Sequence, residues 1–130
     1  MREIAEFTSE AVAPFLSDDC QVNPEVYGAE LGYWLSRELA AGGCETSYPI
    51  AEDWGWFLEY KAESGSMFAV HCVNVDDSNT RWQLSLRRFG RKMFGRDKPP
   101  YEEATGLVEQ IIRVLEADDS VSELDLRWPS

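Results

Sequence analysis

At 130 residues, with 44% hydrophobic and 12% aromatic side chains, the chain has the size of one domain, residues 1–130, and apolar mass enough for a single core. Twenty-four acidic against twelve basic side chains give a formal net charge of -12, which favours cationic partners and opposes general binding to nucleic acid or anionic lipid. No apolar run approaches the length of about 18 residues needed to span a bilayer, and charged Arg2, Glu3 and Glu6 stand where a secretory signal would be apolar, so no membrane association is expected and the cytoplasm is the expected compartment.

In chain order, the segment from Met1 to Val22 has two readings: a short helix capped by Ser9 and ending near Pro14, or an edge strand over Ile4 to Phe7. Asn23-Pro24-Glu25 then carries three helix-start signals: a side-chain acceptor, a proline at the first helical position and a carboxylate at the positive end of the dipole. The spacing of Tyr27, Leu31, Trp34, Leu35 and Leu39 predicts one apolar stripe on that helix, which Gly42-Gly43 ends.

From Trp54 the period becomes two. Trp54, Trp56, Leu58 and Tyr60 are expected on one face of a strand, with Gly55, Phe57 and Glu59 on the other. Glu63-Ser64-Gly65-Ser66 reads as a turn, Met67 to Val75 as a central strand, Asp76-Asp77-Ser78-Asn79 as a second turn, and Thr80 to Arg88 as a third strand. After a stretch broken by Gly90, Gly95 and Pro99-Pro100, the spacing of Ala104, Leu107, Val108, Ile111, Ile112 and Leu115 predicts a second amphipathic helix. Leu124, Leu126 and Trp128 alternate as a final strand. The resulting order α-β-β-β-α-β argues for an α+β fold: an antiparallel sheet of four to five strands with both helices mainly on one face. The other face then carries Phe57, Glu59, Gln83, Ser85 and Arg87.

The segment farthest from average composition is Glu52-Asp53-Trp54-Gly55-Trp56. With Asn23-Pro24, Tyr27-Gly28, Leu31, Leu35, the later tryptophan strand and Trp128, it resembles a group of short bacterial hypothetical proteins sharing an EDWGW-type motif. The resemblance covers the chain from about Phe7 onward and implies a bacterial source; it brings no activity, cofactor or catalytic residue.

Physically, the motif places two carboxylates beside two indoles, with a glycine that lets another backbone or a ligand come close. The simpler reading is that Trp54 and Trp56 anchor the core and Glu52 and Asp53 accept local amide hydrogen bonds. The sharper reading is a binding site in which a cationic group meets Glu52 or Asp53 and an indole face, a cation-π contact contributing about 0.5 to 2 kcal/mol. His71, the sole histidine, is the single imidazole available to acid-base chemistry. Alternation puts it on the opposite face from Cys72, so those neighbours make a poor dyad.

Cys20, Cys44 and Cys72 are odd in number and form no CxxC pair, which reads as reduced thiols. Asp76-Asp77 and Glu52-Asp53 lack the ligand spacing of a calcium loop, and one histidine does not make a typical zinc site, so neither a metal nor another cofactor is expected. Phosphate-loop, dinucleotide, serine-hydrolase and zinc-protease strings are absent from the sequence.

Half of the twelve basic residues fall in one segment: Arg87, Arg88, Arg91, Lys92, Arg96 and Lys98, with Asp97 the lone acid among positions 87 to 98. Elsewhere six bases face 23 acids, a net of -17. Interleaved with Phe89, Met93 and Phe94, this patch suits a phosphate-bearing or acidic partner; pairing with the molecule's own acidic surface, or with another copy in a homo-oligomer, is the simpler reading. The balance favours a binding or accessory module over an enzyme, one version being an immunity-type inhibitor of a basic protein. The alternative is a small-molecule pocket or active site at Glu52 to Trp56, with Glu52 or Asp53 as acid or base and His71 nearby.

Overall fold

The computed structural model describes residues 1–14, 26–89 and 98–128. In chain order these form β1 (Arg2–Thr8), α1 (Ala29–Ala41), β2 (Ile50–Glu52), β3 (Gly55–Lys61), β4 (Met67–Asn74), β5 (Arg81–Arg88), a 3-10 turn at Tyr101–Ala104, α2 (Thr105–Ala117) and β6 (Ser122–Leu126). The fold is α+β. One six-stranded sheet runs β2-β3-β4-β5-β1-β6, and its neighbouring strands pair antiparallel.

The sheet is wider than the expected four to five strands for two reasons. The strand reading of the N-terminal segment holds, but β1 is an interior strand between β5 and β6, where it receives hydrogen bonds on both edges. The second addition is β2, three residues that fold back on β3 through the EDWGW segment itself. The chain order becomes β-α-β-β-β-β-α-β.

Register divides the sheet into two faces. Ala5 and Phe7, Leu58, Val70 and Cys72, and Trp82, Leu84 and Leu86 point to one side. There they join Leu31, Leu35 and Leu39 of α1 and Leu107, Val108, Ile111 and Leu115 of α2 in one buried cluster. Both helices therefore cover the same face, each presenting a stripe at three- and four-residue spacing. The second face carries the expected Phe57, Glu59, Gln83, Ser85 and Arg87, together with His71, which stands directly between Phe57 and Ser85. Its centre is not a wet surface: Phe57, Ala69, His71 and Ser85 are all buried.

Two expectations need correction. The first helix begins at Ala29, and the start signals at Asn23-Pro24-Glu25 lie outside the described residues. The residues just before the helix are tied to β4. The Tyr27 amide donates to Asn74 Oδ1 at 3.0 Å, and Gly28 has φ +151, with the Cys72 carbonyl occupying the place a Cβ would take. Tertiary contact with β4 thus sets the start of α1 at Ala29, later than the cap pattern at Asn23-Pro24 does.

The second correction concerns Trp54. It does not share a face with Trp56, because Asp53 and Trp54 form the two-residue turn between β2 and β3, and turn residues leave the strand alternation. Gly55 makes the turn: its φ is +150, and a Cβ there would lie 2.7 Å from Val73 Cγ1. By contrast the turn between β4 and β5 falls where the sequence puts it. Asp76 and Asp77 both take left-handed φ, +50 and +59, a conformation aspartate tolerates, and the Ser78 amide donates to the Val75 carbonyl at 2.9 Å.

Candidate functional site

The structure separates the residues of the EDWGW motif. Trp56 points to the helix side, half buried, with its ring near Gly28. Glu52, Asp53 and Trp54 are exposed at the hairpin tip. Trp54 turns to the second face and stacks on His71, ring centroids 4.0 Å apart and planes 15° from parallel. Phe57 completes a three-ring group, 5.9 Å from Trp54 and 6.3 Å from His71. The indole is 40% exposed while the imidazole beneath is 6% exposed, so Trp54 serves as a lid.

His71 is held neutral in the physiological range. Its pKa is pushed down to about 4, first by burial and then by the positive charges of Arg87 and the chain's amino terminus. Among the described residues its Nε2 finds no hydrogen-bond partner. A general base is usually oriented by a partner on its second nitrogen and titrates near working pH; this imidazole instead contacts aromatic rings and titrates well below neutrality. Cys72 offers no nucleophile beside it, since the thiol lies on the opposite face, fully buried, with its pKa pushed up to about 12 by burial. Among the described residues no three acidic, cysteine or histidine side chains gather as metal ligands.

The other end of the second face is built differently. Arg127 donates to Glu3 at 2.7 Å, to Glu6 at 2.8 Å and to Asp125 at 3.1 Å. Arg81 reaches Glu6 at 3.2 Å, Thr8 Oγ1 at 3.0 Å and the Glu123 carbonyl at 2.9 Å. Gln83 adds a 2.8 Å bond to Glu3. Hydrogen bonds to Glu3 and Asp125, with the charge of Glu6, raise the Arg127 pKa further above its already high range. These carboxylates are already answered by cations. The sequence hides the network because its members are brought together only by the pairing of β1 with β5 and β6.

The basic patch is only partly visible. Arg91, Lys92 and Arg96 lie outside the described residues. Arg87 and Arg88, as neighbours on β5, point to opposite faces. Arg87 sits over Phe89 at 5.2 Å and Arg88 over Tyr101 at 4.4 Å, while Lys98 is exposed. Arg87 and Arg88 therefore do not share one face of the sheet. Sequence reading also misses a cation-π group in which Arg2 lies over both Tyr101, at 5.0 Å, and Trp128, at 4.7 Å. It borders an open depression of about 510 Å³ lined by Met1, Arg2, Glu3 and Tyr101.

Exposed aromatic surface is concentrated at the hairpin end. Of the five large hydrophobic side chains exposed among the described residues, three are aromatic: Tyr33 (49%), Tyr48 (74%) and Trp54 (40%). Tyr48 precedes β2, Trp54 follows it, and Tyr33 stacks on Tyr48 at 6.2 Å. All three therefore border β2. Tyr33 could have been picked from the sequence, since it falls off the Leu31, Leu35, Leu39 stripe and faces solvent for that reason.

Comparison with protein-family models, with curated proteins and with solved structures finds no match to the chain. No helix among the described residues is long and apolar enough to cross a membrane.

Proposed function

We propose that this chain is a small binding module of the bacterial cytoplasm that recognises a basic protein, acting as an accessory or immunity-type inhibitor. Kinship with the group sharing the EDWGW-type motif is part of the same proposal and rests on motif order. One observation carries the functional reading: the exposed aromatic side chains border one edge strand of a chain whose net charge is -12. Exposed tyrosine and tryptophan are the residue types most often found at the energetic centres of protein interfaces. An acid-rich surface around them speeds encounter with a cationic partner and rejects acidic ones.

Affinity capture of the tagged protein from its source lysate, at low and at high salt, tests this. The expected result is one stoichiometric basic protein that salt releases. Recovery of the bait alone at every salt concentration contradicts it.

A second reading, a small-molecule site or active centre at the Glu52 to Trp56 loop, draws support from His71 Nε2, which has no hydrogen-bond partner among the described residues, since an unsatisfied buried polar group is often a functional one. NMR titration of the imidazole tests it. A ligand that hydrogen-bonds Nε2 would shift both the ring resonances and their midpoint, whereas a panel of metabolites that leaves both unchanged would remove the ground for this reading.

A further inference from the structure

The rings that border β2 suggest how the partner is held. Tyr33 and Tyr48 stack nearly parallel, 15° apart, and Arg37 Cζ lies 5.7 Å from the Tyr33 centroid. The Tyr33 ring thus already accepts a guanidinium, while Tyr48 is the more exposed member of the pair. Trp54 offers a second seat, because one face of the indole rests on His71 and the ring remains 40% exposed. Glu45 and Glu52 are exposed on the same stretch of chain, so a second cation placed there meets negative charge. The Tyr33–Tyr48 pair lies on the α1 side of the sheet and Trp54 on the second face, so one polypeptide that reaches both crosses the sheet edge at β2.

Pairing of a partner strand onto β2 contributes little to such a complex. The strand has three residues and is preceded by Pro49, which has no amide hydrogen to offer. Recognition through side chains is what remains.

We infer that the Tyr33–Tyr48 pair and Trp54 are two seats for arginine or lysine side chains of a basic segment in the partner, held by cation-π contact and by Glu45 and Glu52. The inference rests on the binding-module reading and gives it a location. It is tested with a defined probe, an eight-arginine peptide, and its citrulline counterpart, which keeps the size and loses the charge. Binding is followed at low salt by calorimetry and by 15N NMR, including the indole N–H of Trp54. The arginine peptide is expected to bind and to shift resonances of Tyr33, Tyr48 and Trp54, and the citrulline peptide to leave them unmoved. Tyr48→Ala and Trp54→Ala should each weaken binding about two- to fivefold, the range of an exposed cation-π contact, and Glu3→Gln in the paired network should leave it unchanged. Tyr48 is 74% exposed, so its removal tests the seat without disturbing the core.

Two results overturn the inference: full-strength binding to both aromatic variants with shifts elsewhere on the molecule, or no binding of the arginine peptide. In either case salt-sensitive capture of a basic protein from lysate decides separately whether the broader reading stands.

Discussion

The two ends of the second sheet face use the same residue types to opposite ends. Around β1, β5 and β6, two arginines and four acidic side chains close on one another, so that Glu6 alone receives Arg81 and Arg127. Around β2, β3 and the neighbouring turn, Glu52 is exposed, an indole lies open to solvent, and a buried imidazole has one nitrogen without a hydrogen-bond partner among the described residues. A carboxylate already neutralised by a bidentate or doubled arginine contact contributes to the fold and has little left to attract a partner. The difference teaches that acid content alone does not say which carboxylates the fold has already paired with cations.

The comparison can be broken first through the backbone. Gly55→Ala should have the largest effect, a loss on the order of 3 kcal/mol in chemical denaturation, because the substitution meets both the strain of φ +150 and the Val73 methyl 2.7 Å away. A loss below about 1 kcal/mol would mean that the hairpin rearranges freely.

Next comes the paired end. Glu6→Ala leaves Arg81 and Arg127 without their shared carboxylate, and a destabilisation of about 2 kcal/mol is expected by the same measurement. At the aromatic end Trp54→Ala should cost about 1 kcal/mol, the loss of ring stacking on His71. Glu52→Gln should change stability by less than about 0.5 kcal/mol, as for an exposed side chain away from special features. Equal losses for Glu6→Ala and Glu52→Gln would erase the distinction between the two ends.

Acidity sharpens the same contrast. The folded-state pKa of His71, about 4, lies below its ordinary value of 6.5, so the unfolded chain takes up the proton first. Its contribution to stability is therefore whole above pH 6.5 and is lost as pH falls toward 4. His71→Gln should flatten that part of the stability profile; an unchanged slope would show that other groups set it.

Much of the fold was legible because it rests on periodicity. The stripe of Leu31, Leu35 and Leu39, the alternation of Trp82, Leu84 and Leu86, and the opposition of His71 and Cys72 each follow from local spacing. Three features were not legible. The start of α1 is moved by contact between Gly28 and β4. The turn position of Trp54 depends on β2, a three-residue strand too short to show a period. The ion network depends on bringing β1 beside β5 and β6. Composition singles out Glu52 to Trp56, but the contact of Trp54 with His71, two strands along from β2, arises only by packing.

The most direct test of the binding-module account is salt-dependent capture from source lysate with three baits side by side: the wild type, the Tyr48→Ala/Trp54→Ala double variant and Glu3→Gln. The account predicts that one basic protein is retained by the wild type and by Glu3→Gln, is released by salt, and is lost from the double variant. Retention of the same protein by all three baits, or by none, would contradict it.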